Sequence, residues 1–177
     1  MNIIVGISGG IAAYKACDLI YGLQANKNEV RVIMTENAKE FITPLTLATI
    51  SKNPVMTDMW AERSSVEHIE VGKWANAFIV YPATANIIGK FANGIADDIL
   101  STVYLALPKS IRKCSFVYPA MNTNMLSHPS TRRNMETLRQ DGVKVSDTRV
   151  TLLACGDVGE GGVLKPRDAV KWFLEVL

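Results

Sequence analysis

Residues 3–23 read IIVGISGGIAAYKACDLIYGL, and this stretch decides the fold. Ile3–Ile7 is an uninterrupted apolar run, the pattern of a strand buried on both faces. Ser8-Gly9-Gly10 ends it. From Ile11 to Leu23 the residues Ala12, Ala16, Leu19, Ile20 and Leu23 fall on one helical stripe. A strand, a glycine turn and a helix form the opening unit of a parallel sheet, and the chain goes on in the same alternation.

Val30–Met34 reads as a second strand, with Thr35 or Asn37 available to cap the helix after it. Pro44 suits the first turn of a helix through Leu47, Ala48 and Ile50. Ala77–Tyr81 is a third strand stopped by Pro82, followed by a helix from Ala85 to Ala92. Asp97 and Asp98 open a further helix to Leu107, where acids complement the helix dipole. Phe116–Tyr118 is a fourth strand stopped by Pro119. Ser130–Gln140 reads as a helix ended by Gly142, and Val143–Val145 as a short strand. A glycine-rich loop runs from Gly156 to Gly162, and Pro166 opens a last helix to Leu177. The alternation predicts one α/β domain over residues 1–177, an open, mostly parallel sheet with helices on both faces, Rossmann-like or flavodoxin-like. Ligands of such sheets bind beyond the carboxyl ends of the strands. Ser8–Gly10, Thr35, the loop holding His68, Pro82–Asn86 and Pro119–Asn122 all fall on that rim.

Composition narrows the function. With 48% apolar and 20% charged residues the chain is not disordered. No apolar run approaches the ~20 residues of a membrane span, and no secretory signal is readable. The net charge of +2 is scattered, which argues against a nucleic-acid footprint or a basic membrane patch. Cys17, Cys114 and Cys155 form no C-x-x-C pair, so neither a disulfide framework nor a zinc site is expected. The expectation is a cytoplasmic domain that needs no metal.

Several motifs carry two readings. Gly6-Ile7-Ser8-Gly9-Gly10 matches the G-x-S-x-G nucleophile elbow, but that elbow follows several strands and this one follows the first. It is neither G-x-G-x-x-G nor a P-loop. It is either a turn that offers backbone N–H groups to a phosphate, or a tight turn that needs glycine for steric reasons alone. His68, in Ser64-Ser65-Val66-Glu67-His68-Ile69, is either a catalytic base or a surface histidine. His128, before Pro129, suits a turn and helix start. Asn86 and Asn122 follow proline-ended strands, where an amide can bind a ligand or cap a turn. Cys155 opens a stretch with four glycines in seven residues (156–162), the freedom expected of a flap closing over a ligand or of a plain surface loop. Cys17 and Cys114 suit apolar packing.

Together these segments resemble the homo-oligomeric flavin-containing cysteine decarboxylases. Pro82-Ala83-Thr84-Ala85-Asn86 is similar to that family's P-A-S-A-N-T flavin motif, with Thr84 for serine and Ile87 for threonine. Pro119-Ala120-Met121-Asn122-Thr123-Asn124-Met125 is similar to its P-x-M-N-x-x-M substrate motif, with Leu126 in place of the tryptophan that often closes it. His68 stands where the family carries its catalytic histidine, and Gly6–Lys15 and Asn93–Asp98 also resemble its members. Ala154-Cys155-Gly156-Asp157 resembles the branch that converts 4'-phosphopantothenoylcysteine to 4'-phosphopantetheine in coenzyme A biosynthesis. The alternatives are a peptidyl-cysteine oxidative decarboxylase, which lacks such a cysteine, and a non-catalytic flavin-binding regulatory subunit.

The resemblance implies FMN as cofactor. Its phosphate would lie near Ser8, Gly9 and Gly10 with Thr35 nearby, and Thr84, Ala85, Asn86 and Ala120 would contact the ring or ribityl chain. It implies His68 as the base for oxidation and decarboxylation through a thioaldehyde, Asn122 with Met121 and Ala154 around the substrate, and Cys155 as the acid that returns a proton to the enethiol. It also implies trimers, often assembled into dodecamers, with the flavin at a subunit interface, and a synthetase on a separate polypeptide that makes the substrate.

Overall fold

The computed structural model describes residues 1–59 and 67–177. Strand β1 (Asn2–Ile7) leads through a 3-10 turn (Ile11–Lys15) into α1 (Ala16–Ala25). Then come β2 (Glu29–Met34), a second 3-10 turn (Glu36–Glu40), α2 (Pro44–Ser51), β3 (Val55–Met56), α3 (Glu67–Trp74) and β4 (Ala77–Ala83). Next are α4 (Ala85–Asn93), α5 (Ile99–Ala106), α6 (Lys109–Lys113), β5 (Ser115–Pro119), α7 (Thr123–Ser127), α8 (Pro129–Gln140) and β6 (Lys144–Val145). A hairpin of β7 (Arg149–Leu152) and β8 (Val158–Gly162) precedes α9 (Pro166–Val176).

Six strands form one parallel sheet in the order β3-β2-β1-β4-β5-β6. This is the doubly wound order, and it reverses direction between β1 and β4, so the loops after those two strands part and leave a crevice at the sheet's carboxyl edge. The continuous apolar run of β1 has its predicted cause. Ile3, Val5 and Ile7 face a core shared with α1 and α9, whereas Ile4 faces a second core beneath α3, α4, α5 and α8. Gly6 lies on that second face because a Cβ there would overlap the Leu100 side chain.

Polar anchors tie the layers. The Tyr118 hydroxyl donates to the Ala169 carbonyl at 2.9 Å and the Tyr81 hydroxyl to the Leu164 carbonyl at 2.6 Å, so β4 and β5 fix the approach and first turns of α9. Asp98 closes a reciprocal capping box with Ser101 at the start of α5, and Lys90 binds Asp97 and Asp98 at 2.6 Å. The His128 Nδ1 accepts the Ser130 N–H at 3.2 Å, the helix-start role its sequence position suggested. Cys17 and Cys114 pack, half-buried, against the first core.

The structure revises several expectations. The first helix begins as a 3-10 turn, and Ala13 rather than Ala12 is buried in it. Pro82 lies within β4 rather than ending it, because the ladder shifts register between Val80 and Ala83 and so leaves the proline without a paired N–H, whereas Pro119 is the last residue of β5, as expected. Thr35 stands at the N-cap of the second 3-10 turn without a side-chain bond to it. His68 is in the first turn of α3, not in a loop. The glycine-rich loop 156–162 includes strand β8 of an antiparallel hairpin.

Burial of Tyr81, Tyr104 and Tyr118 raises their hydroxyl pKa values, that of Tyr104 to about 12. A folded-state value above the unfolded ~10 gives a stabilisation that is complete below pH ~10 and lost as pH rises through the folded values. Tyr104 can ionise in folded protein near pH 12, whereas phenolate absorbance from Tyr81 and Tyr118 is expected to appear only together with loss of helical circular dichroism. Titration of Tyr81 or Tyr118 in protein that stays folded through pH 12 would contradict the burial described.

Candidate functional site

Three walls enclose a cavity of about 490 Å³ at the carboxyl edge of the sheet. The turn after β1 supplies Gly9, Gly10, Ile11 and Lys15. The ends of β4 and β5 supply Thr84, Ala120, Met121 and Asn122. The hairpin supplies Thr151 to Cys155 and Gly161 to Val163. Most of the lining is apolar.

The first wall is held to the second by a buried hydroxyl. Ser8 Oγ donates to the Pro82 carbonyl at 2.8 Å and accepts the Thr84 N–H at 2.9 Å, while the Ser8 N–H also reaches Pro82 O at 3.3 Å. Ser8 is only 2% exposed and does not line the cavity, so its side chain is a clamp between β1 and β4. Gly9 must lack a side chain because the backbone of Asn37 occupies the space a Cβ would take, at 2.6 Å. Gly10 and the small residues Thr84 and Ala120 then leave backbone open toward the cavity. Thr84 Oγ1 caps α4 by accepting the Ile87 N–H at 3.4 Å. Thr35, half-buried, and Ala85 and exposed Asn86, on α4, do not line the cavity.

At the other end Asn122 is the N-cap of α7, with Oδ1 accepting the Asn124 N–H at 2.8 Å. That bond spends the acceptor and turns the amide NH₂ outward. Its Nδ2 donates to Cys155 Sγ at 3.3 Å, and the thiol donates to Asp157 Oδ2 at 3.4 Å. Asn122 and Met121 on the second wall thus meet Ala154 and Cys155 on the hairpin, residues singled out separately in the sequence. His68, half-buried on α3, is not on the wall of this chain's cavity.

The hairpin is docked by backbone rather than by bulk. The Met121 N–H donates to Gly161 O at 3.0 Å and the Thr123 hydroxyl to Glu160 O at 2.6 Å. Gly161 has φ +130°, and a Cβ there would sit on the Met121 carbonyl oxygen. Two residues absent from the sequence reading belong here. Lys15 lines the cavity, and Arg149, at the base of the hairpin, donates Nε to Val163 O at 2.8 Å. Burial first, then the Arg149 guanidinium, pushes the Lys15 ammonium below its ordinary pKa. Lys15 sits in the Gly6–Lys15 stretch already noted. Arg149 is one scattered basic residue among many, and only the pairing of β7 with β8 brings it against Val163, which lines the cavity.

A small-residue turn at the switch point of a doubly wound sheet, facing an apolar cavity closed by a hairpin, defines an α/β protein built to hold a nucleotide-type cofactor. The chain belongs to the Flavoprotein family, whose model matches residues 1–177. It is 44% identical over 164 residues to a probable phosphopantothenoylcysteine decarboxylase of Streptococcus mutans, covering 92% of this chain and 90% of that protein. It is 45% identical over 172 residues to the coenzyme A biosynthesis bifunctional protein CoaBC of Bacillus subtilis, covering 96% of this chain and 41% of the relative. The chain therefore spans about two-fifths of the bifunctional relative's length. Among solved structures, a cysteine-to-serine mutant of PPC decarboxylase complexed with pantothenoylaminoethenethiol superposes with a TM-score of 0.86 at 30% identity, covering 98% of each chain. The FMN binding protein AtHal3 superposes with a TM-score of 0.83 at 30% identity, covering 99% of this chain and 97% of that one. No helix among the described residues is long and apolar enough to cross a membrane.

The two glycines of the hairpin can be told apart experimentally. Gly161→Ala places a Cβ against Met121 and is expected to undock the hairpin, raising amide exchange across Thr151–Val163 and speeding proteolysis at the 153–157 turn. Gly156→Ala, at φ +92° with open space around it, carries only the left-handed penalty of about 1–2 kcal/mol. Equal exchange in both variants would contradict docking through Gly161.

Proposed function

We propose that the chain is an FMN-dependent decarboxylase that converts 4'-phosphopantothenoylcysteine to 4'-phosphopantetheine. The observation that carries this reading is the Asn122 amide and the Cys155 thiol, 3.3 Å apart, on the wall of a cavity that opens onto the sheet's switch point. The named activity of the Streptococcus mutans relative and the thiol-ended ligand in the PPC decarboxylase structure support it.

The residues present fit a flavin mononucleotide. The cavity is within the usual ~300–1,000 Å³ of cofactor sites. Its open backbone at Gly9–Gly10 suits a phosphate, its small Thr84 and Ala120 let a flat ring approach, and its apolar remainder suits the ring faces. When bound, FMN supplies a two-electron acceptor for the substrate's cysteine side chain and returns the same hydride at the end.

The chain's own residues handle the substrate and its protons. The outward NH₂ of Asn122 binds the substrate carboxylate and aligns the bond to be broken with the sulfur-bearing carbon. His68 takes the substrate thiol proton as the Cβ–H leaves as hydride, giving a thioaldehyde. The C=S group then accepts the electron pair released with CO₂, and the product of this half is an enethiol. Cys155 gives a proton to the former α-carbon as hydride returns to the β-carbon, and its thiolate is reprotonated from solvent. The hairpin excludes water while this occurs. Because His68 is absent from the cavity wall of its own chain, we assign it to the cavity of an adjoining protomer, in the homo-oligomer that the family resemblance implies. In this reading residues 1–177 are one decarboxylase domain. A synthetase that makes the substrate acts beside it, fused in the bifunctional relatives.

The protein is expected to bind FMN non-covalently and to release CO₂ from 4'-phosphopantothenoylcysteine. Colourless protein that takes up no flavin on reconstitution would sink the reading. His68→Asn should keep the flavin and lose ~10²–10⁴ in turnover. Mixing it with Cys155→Ser should restore saturated product in part, through oligomers holding one intact His68–Cys155 pair; no recovery would place both residues in one chain's site.

Cys155→Ser by itself should still oxidise and decarboxylate the substrate. A hydroxyl is a far weaker acid than a thiol of reference pKa ~8.5, so the second half-reaction should stall. Mass spectrometry should then show a product two hydrogens short of 4'-phosphopantetheine, with the flavin left reduced. Saturated product at the unaltered rate would exclude Cys155 as the donor.

A further inference from the structure

Lys15 is the only charged side chain among the described residues that line the cavity. Among the described residues no carboxylate pairs with it, and none pairs with Arg149. Arg149 spends its Nε–H on the Val163 carbonyl, and Val163, like Lys15, lines the cavity. The guanidinium is thus aimed by one bond, and among the described residues its two terminal nitrogens have no hydrogen-bond partner. The neighbouring carbonyl of Leu164 is taken by the Tyr81 hydroxyl at 2.6 Å, so the segment that aims Arg149 is itself fixed to the central sheet. Lys15 on the cavity wall and Arg149 behind Val163 are neighbouring cations that repel each other, and an anion placed between them removes that cost. The lowered pKa of Lys15 has this origin in part.

We infer that Lys15 and Arg149 form a seat for a phosphomonoester at the base of the hairpin, and that it takes the phosphate end of the substrate. The identity of that ligand rests on the proposed function. Length supports the assignment. From Arg149, paired with Gly162 at the hairpin base, to Leu153 at the start of the turn that carries Cys155 is four strand steps, or about 13 Å at ~3.3 Å each. About eleven bonds separate the phosphorus of 4'-phosphopantothenoylcysteine from its cysteine α-carbon, equivalent to between three and four extended residues, or about 13 Å. A phosphate held at the base therefore delivers the carboxylate and thiol to Asn122 and Cys155 at the tip. The same anion chemistry exists on the cofactor. However, the five-residue 3-10 turn puts Lys15 about 10 Å along the chain from the Gly9–Gly10 backbone assigned to the flavin phosphate.

The test compares two ligands that differ only in the phosphate. Titration calorimetry of the FMN-loaded protein is expected to show 4'-phosphopantetheine binding at least tenfold more tightly than pantetheine. Lys15→Gln and Arg149→Gln should each weaken the phosphorylated ligand about tenfold, as expected for loss of one charge-assisted hydrogen bond, and leave pantetheine unchanged. Lys15→Arg should keep the preference, which separates charge from folding. Titration of the apoprotein should show FMN affinity equal in all variants. If the unaltered protein binds the two ligands equally, the inference is overturned. It is also overturned if the variants lose FMN while the ligand ratio stands, because the cations would then serve the flavin phosphate. A protein that discriminates between the two ligands but releases no CO₂ would keep the phosphate seat and reject the proposed reaction.

Discussion

The site depends on one buried hydroxyl. The sheet's order reverses between β1 and β4, and reversal by itself would let the two following loops drift apart. Ser8 donates to the Pro82 carbonyl and accepts the Thr84 amide, using both halves of its hydrogen-bonding capacity across that division. Because the group is buried, losing either bond would leave a polar atom unsatisfied, which makes the geometry stiff. The glycine turn on one side and the start of α4 on the other are therefore held at a fixed separation, and the cavity between them is preformed.

The third wall is held differently. The hairpin has little apolar surface to bury: Val150, Leu152 and Val158 are exposed. It docks through the Met121–Gly161 backbone bond and the Thr123 hydroxyl, and it comes that close because Gly161 has no side chain. This attachment puts Cys155 against Asn122 at its tip and Arg149 near Lys15 at its base. A stiff floor and a lightly attached lid fit the proposed reaction, which requires that a long substrate enter and water then be excluded.

Much of this was legible in the sequence. The Ile3–Ile7 run and the glycine turn after it announced a parallel sheet, since only a strand covered on both faces is uniformly apolar. Of the rim segments that read as chemically loaded, Pro82–Asn86 and Pro119–Asn122 bring Thr84, Ala120, Met121 and Asn122 to one cavity, where the hairpin adds Ala154 and Cys155. Asn122 and Cys155 could be named from local pattern and family resemblance, but their 3.3 Å contact could not, because 33 residues of chain separate them. The resemblance places a phosphate near the Ser8–Gly10 turn, and in the fold the Ser8 hydroxyl is spent on Pro82 and Thr84. Residue type says what a side chain can donate, not who is there to accept.

The sequence by itself determined the alternation of strands and helices, the faces they bury and the residue types available at the rim. Those follow from periodicity and backbone chemistry, which act over a few residues. Tertiary structure alone decided the strand order, the passage of β4 through Pro82, the ordering of the glycine-rich stretch as a docked hairpin, and the partners of Ser8, Lys15 and Arg149. These depend on contacts between distant segments, and the energies that select them belong to pairs of residues that no local stretch of sequence contains. His68 marks the limit most plainly: family resemblance implies a base there, its local sequence fits a surface histidine equally, and its own chain's fold leaves it off the cavity wall.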